Sequence, residues 1–350
     1  FINKGIGNGS GFSATLLKDS AGALTLSIRS TEFADTAAGG DWNRDGINGA
    51  DGQMAATGFS FAQLAALEDY YAYLKAHDKI GATTRINVTG YSLGAHLATA
   101  FTTLHSGEVA QTVTFNGPGI GSVGTGTLAQ ALARYRAVLT NPGSVLAADD
   151  TETTLRNAAL AASGALNDTN IYTDARQKWA EHVVHTEFLT GFNPLGTIDA
   201  SLGNQIVQIV GRAAHGDSEY VANSGIHAPS TTVFIEDQPD VSGLGLGFLD
   251  KWLGLKSDFG TSHSITLIAD SLAVIETLQK LKPDLTLDQA YELLASSSNE
   301  RAQGLLGTSG TAESDSLEQV VQALRDLYLG SGAELRIDPQ GGGFGNRDFR

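Results

Sequence analysis

Cysteine is absent from this chain of 350 residues, which excludes disulfides, catalytic thiols and thiolate metal sites. Basic residues are scarce: 22 Lys and Arg stand against 38 Asp and Glu, giving a formal charge of −16. Phosphate backbones are bound by clustered Lys and Arg, so this balance argues against a nucleic-acid partner. No apolar run approaches the length that crosses a bilayer, and no transmembrane segment is expected. The first residues, FINKGIGNGSG, lack a basic start followed by a hydrophobic block. The chain opens on Phe1 rather than methionine, so a preceding segment is expected to have been removed or omitted. No internal repeat is visible.

Hydrophobic residues make up 41% of the chain, enough to bury a full core as one large domain or one domain with insertions. An acidic, cysteine-free, Gly- and Asp-rich composition suits a salty, calcium-containing exterior. The expectation is a secreted, extracellular bacterial protein.

The most informative stretch is RINVTGYSLGAHLATAFTTL, from Arg85 to Leu104. Ile86 and Val88 alternate as in a strand, whereas Leu93, Leu97, Ala100, Phe101 and Leu104 recur at helical spacing. The join, Gly90-Tyr91-Ser92-Leu93-Gly94, reads as a nucleophile elbow with Ser92 at its tip. A strand that reverses sharply into a helix crowds its neighbours, and glycines at 90 and 94 leave the needed room. The turn would lift the Ser92 hydroxyl into a cleft and aim the first helical N–H groups at the same point. Leu93 N–H is one oxyanion donor in this reading. The plain alternative is a glycine-bounded turn whose serine merely caps a helix, with no partner histidine or acid further along.

Around this turn the chain reads in order as an α/β protein. Phe12, Ala14 and Leu16, a turn at 19–22, then Leu24, Leu26 and Ile28 predict an antiparallel hairpin. A Gly/Asp-rich loop is expected from Ala37 to Gly58, and a helix through Leu64, Leu67, Tyr71 and Leu74. Helix, strand, elbow, helix and the 111–115 strand imply a parallel central sheet. Residues 123–203 break that rhythm with helical patches at Leu128–Leu139, Glu152–Leu166 and Ala175–Leu189. Strands resume at 206–210 and 232–235, and an apolar segment, VSGLGLGFLDKWLGL, spans Val241 to Leu255. A helix through Ile265, Ile268, Leu272, Ile275 and Leu278 stops at Pro283. Two more begin with capping boxes at Thr286/Gln289 and Ser316/Gln319. The tail at 336–350 reads as a linker.

A serine hydroxyl needs a base to take its proton, and the base needs an acid to hold one tautomer. Of eight histidines, His96 points along the elbow helix and His105 ends it, where positive charge is favourable. His182 and His185 have a spacing that holds a metal on one helical face, but no third ligand is in view. His263 sits in a short loop before a late helix and follows the serine in the required order; His215 and His227 are the alternatives. Spacing alone leaves Asp217, Asp237 and Asp240 open as the acid.

These residues together resemble the class 3 (fungal-lipase-like) α/β hydrolases, and within them the bacterial family I.3 lipases and related domains of calcium-binding repeat exoproteins. The resemblance runs from about Leu24 to Leu278. Ile28-Arg29-Ser30-Thr31-Glu32 resembles the family's F-R-G-T-E segment, with Ser30 in place of glycine, and implies that Thr31 supplies the second oxyanion N–H. Asp41-Trp42-Asn43-Arg44-Asp45 is similar to the D-W-x-x-D that follows, and 113–119 to its V-x-T-F-G-x-P segment. Gly216-Asp217-Ser218-Glu219-Tyr220-Val221, with Gly225-Ile226-His227, is similar to the stretch around the triad aspartate. His263-Ser264-Ile265 resembles the triad histidine segment. The resemblance therefore implies a triad of Ser92, His263 and Asp217, with His227 left to packing or to supporting the triad from behind.

What it implies overall is an α/β-hydrolase-like fold: a mostly parallel sheet with helices on both faces, an N-terminal β-hairpin and a helical insertion. The core would comprise residues 1–122 and 204–282, with a helical cap or lid region at 123–203. An apolar lid-like segment at 241–260 and C-terminal helices at 283–335 complete the expectation. The activity implied is that of a secreted serine ester hydrolase, lipase-like, with phospholipids or polyesters as alternative substrates. Residues 241–255 would touch a lipid interface transiently. The alternative of another class is a non-catalytic, calcium-stabilised module of a larger exoprotein.

Asp41-Trp42-Asn43-Arg44-Asp45-Gly46 also reads as the D-x-N-x-D-G opening of a calcium loop. Asp41, Asn43 and Asp45 are the candidate ligands, and Asp51 would complete the set. The bidentate glutamate expected at the twelfth place is replaced by Gly52. No cofactor is expected for the chemistry, and calcium would be structural.

Overall fold

The turn between the first two strands shows how local chemistry starts this fold. Asp19 N–H donates to the Ala23 carbonyl at 3.0 Å, its side chain accepts from Ala23 N–H at 2.8 Å, and Gly22 takes φ 91°. That conformation costs glycine nothing, and it pairs β1 (Ala14–Lys18) with β2 (Leu24–Ile28) antiparallel, Leu16 opposite Leu26. The computed structural model describes residues 9–32, 34, 40–166, 171–191, 193, 195, 200–202, 205–213, 231–238, 265–286 and 289–290.

β2 then runs parallel to β3 (Ile86–Tyr91), and β3 parallel to β4 (Val109–Phe115). With β5 (Ile206–Ala213) and β6 (Thr231–Gln238) these strands make one six-stranded sheet in the order β1-β2-β3-β4-β5-β6. Helices connect the strands, as in an α/β fold. The alternation of β3 is real: Ile86, Val88 and Gly90 are buried while the residues between them are not.

α3 (Phe61–Ala76) buries Phe61, Leu64, Leu67, Tyr71 and Leu74, a stripe at helical spacing. α4 (Leu93–Leu104) is buried on every side from Leu93 to Thr102, the mark of a central helix. Tyr71 and Phe101 lock the two together edge to face, with centroids 4.9 Å apart.

The expected loop from 37 to 58 instead contains two short helices, α1 (Trp42–Asp45) and α2 (Ala50–Thr57). Glycines at 46, 49, 52 and 58 make this stretch a poor helix former in isolation. Tertiary contacts override that preference. Asp45, Gln53 and Thr57 are buried, and Gly58 closes α2 in the left-handed conformation at φ 78°.

The helical region at 123–203 forms α5 (Leu128–Thr140), α6 (Asp150–Ala161) and α7 (Ala175–Phe188). Each begins on a side-chain cap: a Thr127/Gln130 capping box, Asp149 and Asp174 respectively. Their buried faces, with Tyr135, Val138, Trp179, Val183 and Val184, join one hydrophobic cluster with Leu26, Ile86, Leu97 and Phe101. Phe61 of α3 stacks on Tyr135 of α5 at 5.5 Å. The region is thus built into the core of the first compact unit, Phe1–Gln208 with Gly225–Thr232.

The second unit, Ile209–Ser224 with Val233–Arg350, includes α8 (Ile265–Leu281). That helix ends just before Pro283, and the Thr286/Gln289 capping box forms reciprocally at 3.1 and 3.2 Å. The apolar segment 241–260, the Ser316 helix and the tail lie outside the described residues. Among the described residues no helix is long and apolar enough to cross a membrane.

Candidate active site

Ser92 occupies a backbone conformation that side-chain-bearing residues avoid, with φ 53° and ψ −118°. It stands between the last residue of β3 and the first of α4, so the chain reverses within one residue. Such a conformation costs on the order of 1–3 kcal/mol and persists only where surrounding contacts enforce it. Those contacts are visible. Ser92 N–H donates to the Phe115 carbonyl on β4 at 2.9 Å, and its carbonyl accepts from Ala95 and His96 N–H at 2.9 and 3.0 Å.

The two glycines of the motif have separate steric reasons. A β-carbon on Gly90 would lie 2.2 Å from the Gly94 carbonyl oxygen, whereas one on Gly94 would lie 2.4 Å from the Ile28 carbonyl and 2.8 Å from that of Arg29. Gly90 therefore lets the helix fold back over the strand, and Gly94 lets it settle on the end of β2. Leu93 begins α4, so its N–H belongs to the positive end of the helix.

Thr31 leaves the same end of the sheet. Ile28 pairs with Gly90 in the parallel register, so the chain beyond Ile28 and the chain beyond Gly90 exit side by side. Thr31 is buried, and its hydroxyl donates to both carboxylate oxygens of Asp51 at 3.0 and 3.1 Å. Burial pushes the Asp51 carboxyl up to about 7; the Thr31 hydrogen bond opposes this and the neighbouring Asp45 charge adds to it. The Ser30 hydroxyl, where the resemblance has glycine, is buried with no partner among the described residues.

Arg29 fixes the start of this loop. Its guanidinium donates to Glu32 at 2.9 Å, to Asp41 at 2.8 Å, to Asp45 at 3.3 Å and to the Gly11 carbonyl at 3.0 Å. Asp45 also accepts from Glu32 N–H at 3.1 Å and from Gln63 at 2.8 Å. Arg44 pairs with Asp41. Two of the three residues expected to hold calcium are thus committed to arginines, and Asn43 lies between them on the turn of α1. As placed, the Asp41 and Asp45 carboxylates are paired with guanidinium groups. Among the described residues no cluster of three or more His, Asp or Glu side chains has metal-binding geometry.

The histidines that the structure describes serve other partners. His96 is fully buried, with Nδ1 2.7 Å from the Gly119 carbonyl and Nε2 3.1 Å from Ser60 N. The carbonyl can only accept and the amide can only donate, so Nδ1 carries the proton and the ring is neutral. Burial pushes its pKa down to about 4, against the Gly119 hydrogen bond. His105 ends α4 between Glu68 and Glu108, at 2.9 and 3.3 Å. Burial there disfavours its charge, but the two carboxylates together outweigh burial and raise its pKa. His182 meets Glu152 at 3.0 Å and His185 the Gly191 carbonyl at 2.6 Å, so the pair does not converge on one point.

Ser92, Leu93 and Thr31 therefore share one end of adjacent strands. Asp217, His263, His215, His227 and Asp240 lie outside the described residues, as does the side chain of Asp237 on β6. Sequence reasoning missed the support beneath this end of the sheet. Asp51 was read only as a calcium donor, and Gln53 and Glu181 drew no notice. Gln53 of α2 donates to Glu181 of α7, and its other amide atom accepts from Ala62 N–H at 3.2 Å. No family model matches the chain, and no curated protein matches it significantly.

Proposed function

We propose that this protein is a secreted serine carboxylester hydrolase, lipase-like, built on an α/β-hydrolase fold. The observation that carries the reading is the backbone of Ser92: a serine held at φ 53° between a parallel strand and a buried helix. A serine that only capped a helix would sit in the extended region without strain. A non-catalytic module would gain stability by replacing this residue, and the retained cost favours a chemical role.

In this reading the Ser92 hydroxyl attacks the ester carbonyl carbon while its proton passes to His263, which Asp217 orients. The carbonyl oxygen becomes an oxyanion between the N–H groups of Leu93 and Thr31. Collapse expels the alcohol, which takes the proton from His263, and leaves Ser92 acylated. Water, deprotonated by the same histidine, then attacks the acyl carbon, and carboxylic acid departs as the serine regains its proton. Residues 241–255 would serve as a lid that lies on a lipid surface when open. Triglycerides, phospholipids and polyesters are all within reach of this chemistry.

A fluorophosphonate probe tests the proposal directly. Wild-type protein should be labelled on Ser92 and should turn over p-nitrophenyl esters. Ser92→Ala should lose both while keeping its far-UV circular dichroism. Turnover that survives in Ser92→Ala would sink the assignment.

A further inference from the structure

α2 reaches in two directions. From its first turn, Asp51 accepts the Thr31 hydroxyl, the residue beside which an oxyanion would form. Two positions later, Gln53 is buried with its side-chain amide held at both ends. One end accepts from Ala62 N–H at the start of α3, and the other donates to Glu181 on α7. The far end of this short helix is tied down, with Asn193 donating to the Thr57 carbonyl and Gly121 N–H to the Gly58 carbonyl, both at 2.7 Å, but its first half begins on Gly49 with no side-chain cap and carries glycine at 52. Glu181 itself is held by packing, because Trp179, Ala180, Val183 and Val184 around it are buried in the core cluster.

We infer that Glu181, on a helix of the inserted region, is a positioning residue for the oxyanion loop, acting through Gln53 and Asp51 on Thr31. The inference rests on the hydrolase reading above and gives the inserted helices a part in it. Glu181 stands at the far end of a chain of contacts that runs from α7 to α2 and from α2 to the end of β2. Without its acceptor, the Gln53 amide has a buried N–H group unpaired, and α2 can relieve that only by shifting. A shift of α2 moves Asp51 and frees Thr31. Oxyanion donors act through fixed placement, so a small displacement is expressed in turnover rather than in substrate binding.

The test uses the full chain carrying Glu181→Ala, Glu181→Gln or, as a control on the same helix, Glu187→Ala, which removes the exposed pair with Arg134. Hydrogen exchange by mass spectrometry follows the peptide spanning 28–34, and ester hydrolysis gives kcat and KM. Glu181→Ala should speed exchange in that peptide at least about fivefold and lower kcat about tenfold or more, with KM within about twofold. Glu181→Gln retains an acceptor for Gln53 and should restore both. Glu187→Ala should change neither. If Glu181→Ala unfolds the chain, Gln53→Met removes the same link from the other side and should give the same pattern. Unchanged exchange in a folded variant overturns the positioning role, as does faster exchange with unchanged kcat. A wild-type protein with no esterase activity and no Ser92 labelling would fail the hydrolase reading alone, because the exchange measurement still reports on the link.

Discussion

Gly90 lies so close beneath Gly94 that a β-carbon on it would stand 2.2 Å from the Gly94 carbonyl oxygen. The obstacle is backbone within a buried helix, not the end of a flexible side chain, so nothing nearby can yield cheaply. Gly90→Ala should therefore cost about 3 kcal/mol or more and distort the turn. Denaturant unfolding measures the first effect, and loss of fluorophosphonate labelling measures the second. A variant with wild-type stability and labelling would show that the elbow tolerates opening.

Ser92→Gly should move stability the other way. Glycine adopts φ 53° without the clash that serine carries, and relief of that strain is offset only partly by the greater freedom of glycine in the unfolded chain. The expected outcome is a gain of about 1–2 kcal/mol together with complete loss of turnover. Equal midpoints for variant and wild type in urea would mean that the turn stores no strain.

The elbow was legible because it is local. Ile86 and Val88, the two glycines and the Leu93–Leu97–Phe101 stripe lie within a few turns of one another, and each level of pattern agrees with the next. The inserted helices were legible for the same reason: apolar spacing places all three, although the second, read to Leu166, ends at Ala161, and their caps at Thr127, Asp149 and Asp174 emerge only from the structure. α1 and α2 were not, because their glycines argue for a loop and only distant partners overrule them. Arg29 meets Asp45 across 16 positions, and Gln53 meets Glu181 across 128. No periodicity records a contact of that kind. The D-x-N-x-D-G spacing reads as a calcium loop, and nothing in that spacing shows that the guanidinium of Arg29, just past β2, stands against Asp41 and Asp45.

That guanidinium leads to a prediction about calcium. Removing Arg29 leaves Asp45 without its guanidinium partner and Asp41 with Arg44 alone, and loosening such a part-buried network costs on the order of 1–3 kcal/mol. Arg29→Ala should melt lower than wild type, and calcium should recover part of the loss by taking the vacated place among oxygen donors. Wild-type protein should show no shift in Tm between EDTA and millimolar calcium through this site. A calcium-dependent rise in wild type that Asp45→Asn abolishes would show instead that the ion displaces the arginine.

Stability should also depend on pH, chiefly through three groups whose pKa values their surroundings shift. Burial pushes the Glu181 carboxyl up to about 7, against hydrogen bonds from Gln177 and Gln53 and the charge of Lys178, and it pushes Asp51 to about 7 as well. Both groups have folded values above their unfolded ones, so their contribution is complete below the unfolded values and is lost as pH rises through about 7. His96 works in the opposite sense: held at about 4 from an ordinary 6.5, its contribution is complete above 6.5 and is lost as pH falls towards 4. Between pH 8 and pH 6.5 the two carboxyls should give a gain of about 1–2 kcal/mol on acidification, and His105, whose pKa is raised by Glu68 and Glu108, adds in the same direction. Below pH 6 His96 opposes further gain. Glu181→Gln cannot ionise, so its Tm should exceed that of wild type at pH 8 and approach it at pH 5. A wild-type Tm that falls steadily from pH 8 to pH 6.5 would mean that neither carboxyl is protonated in the native fold.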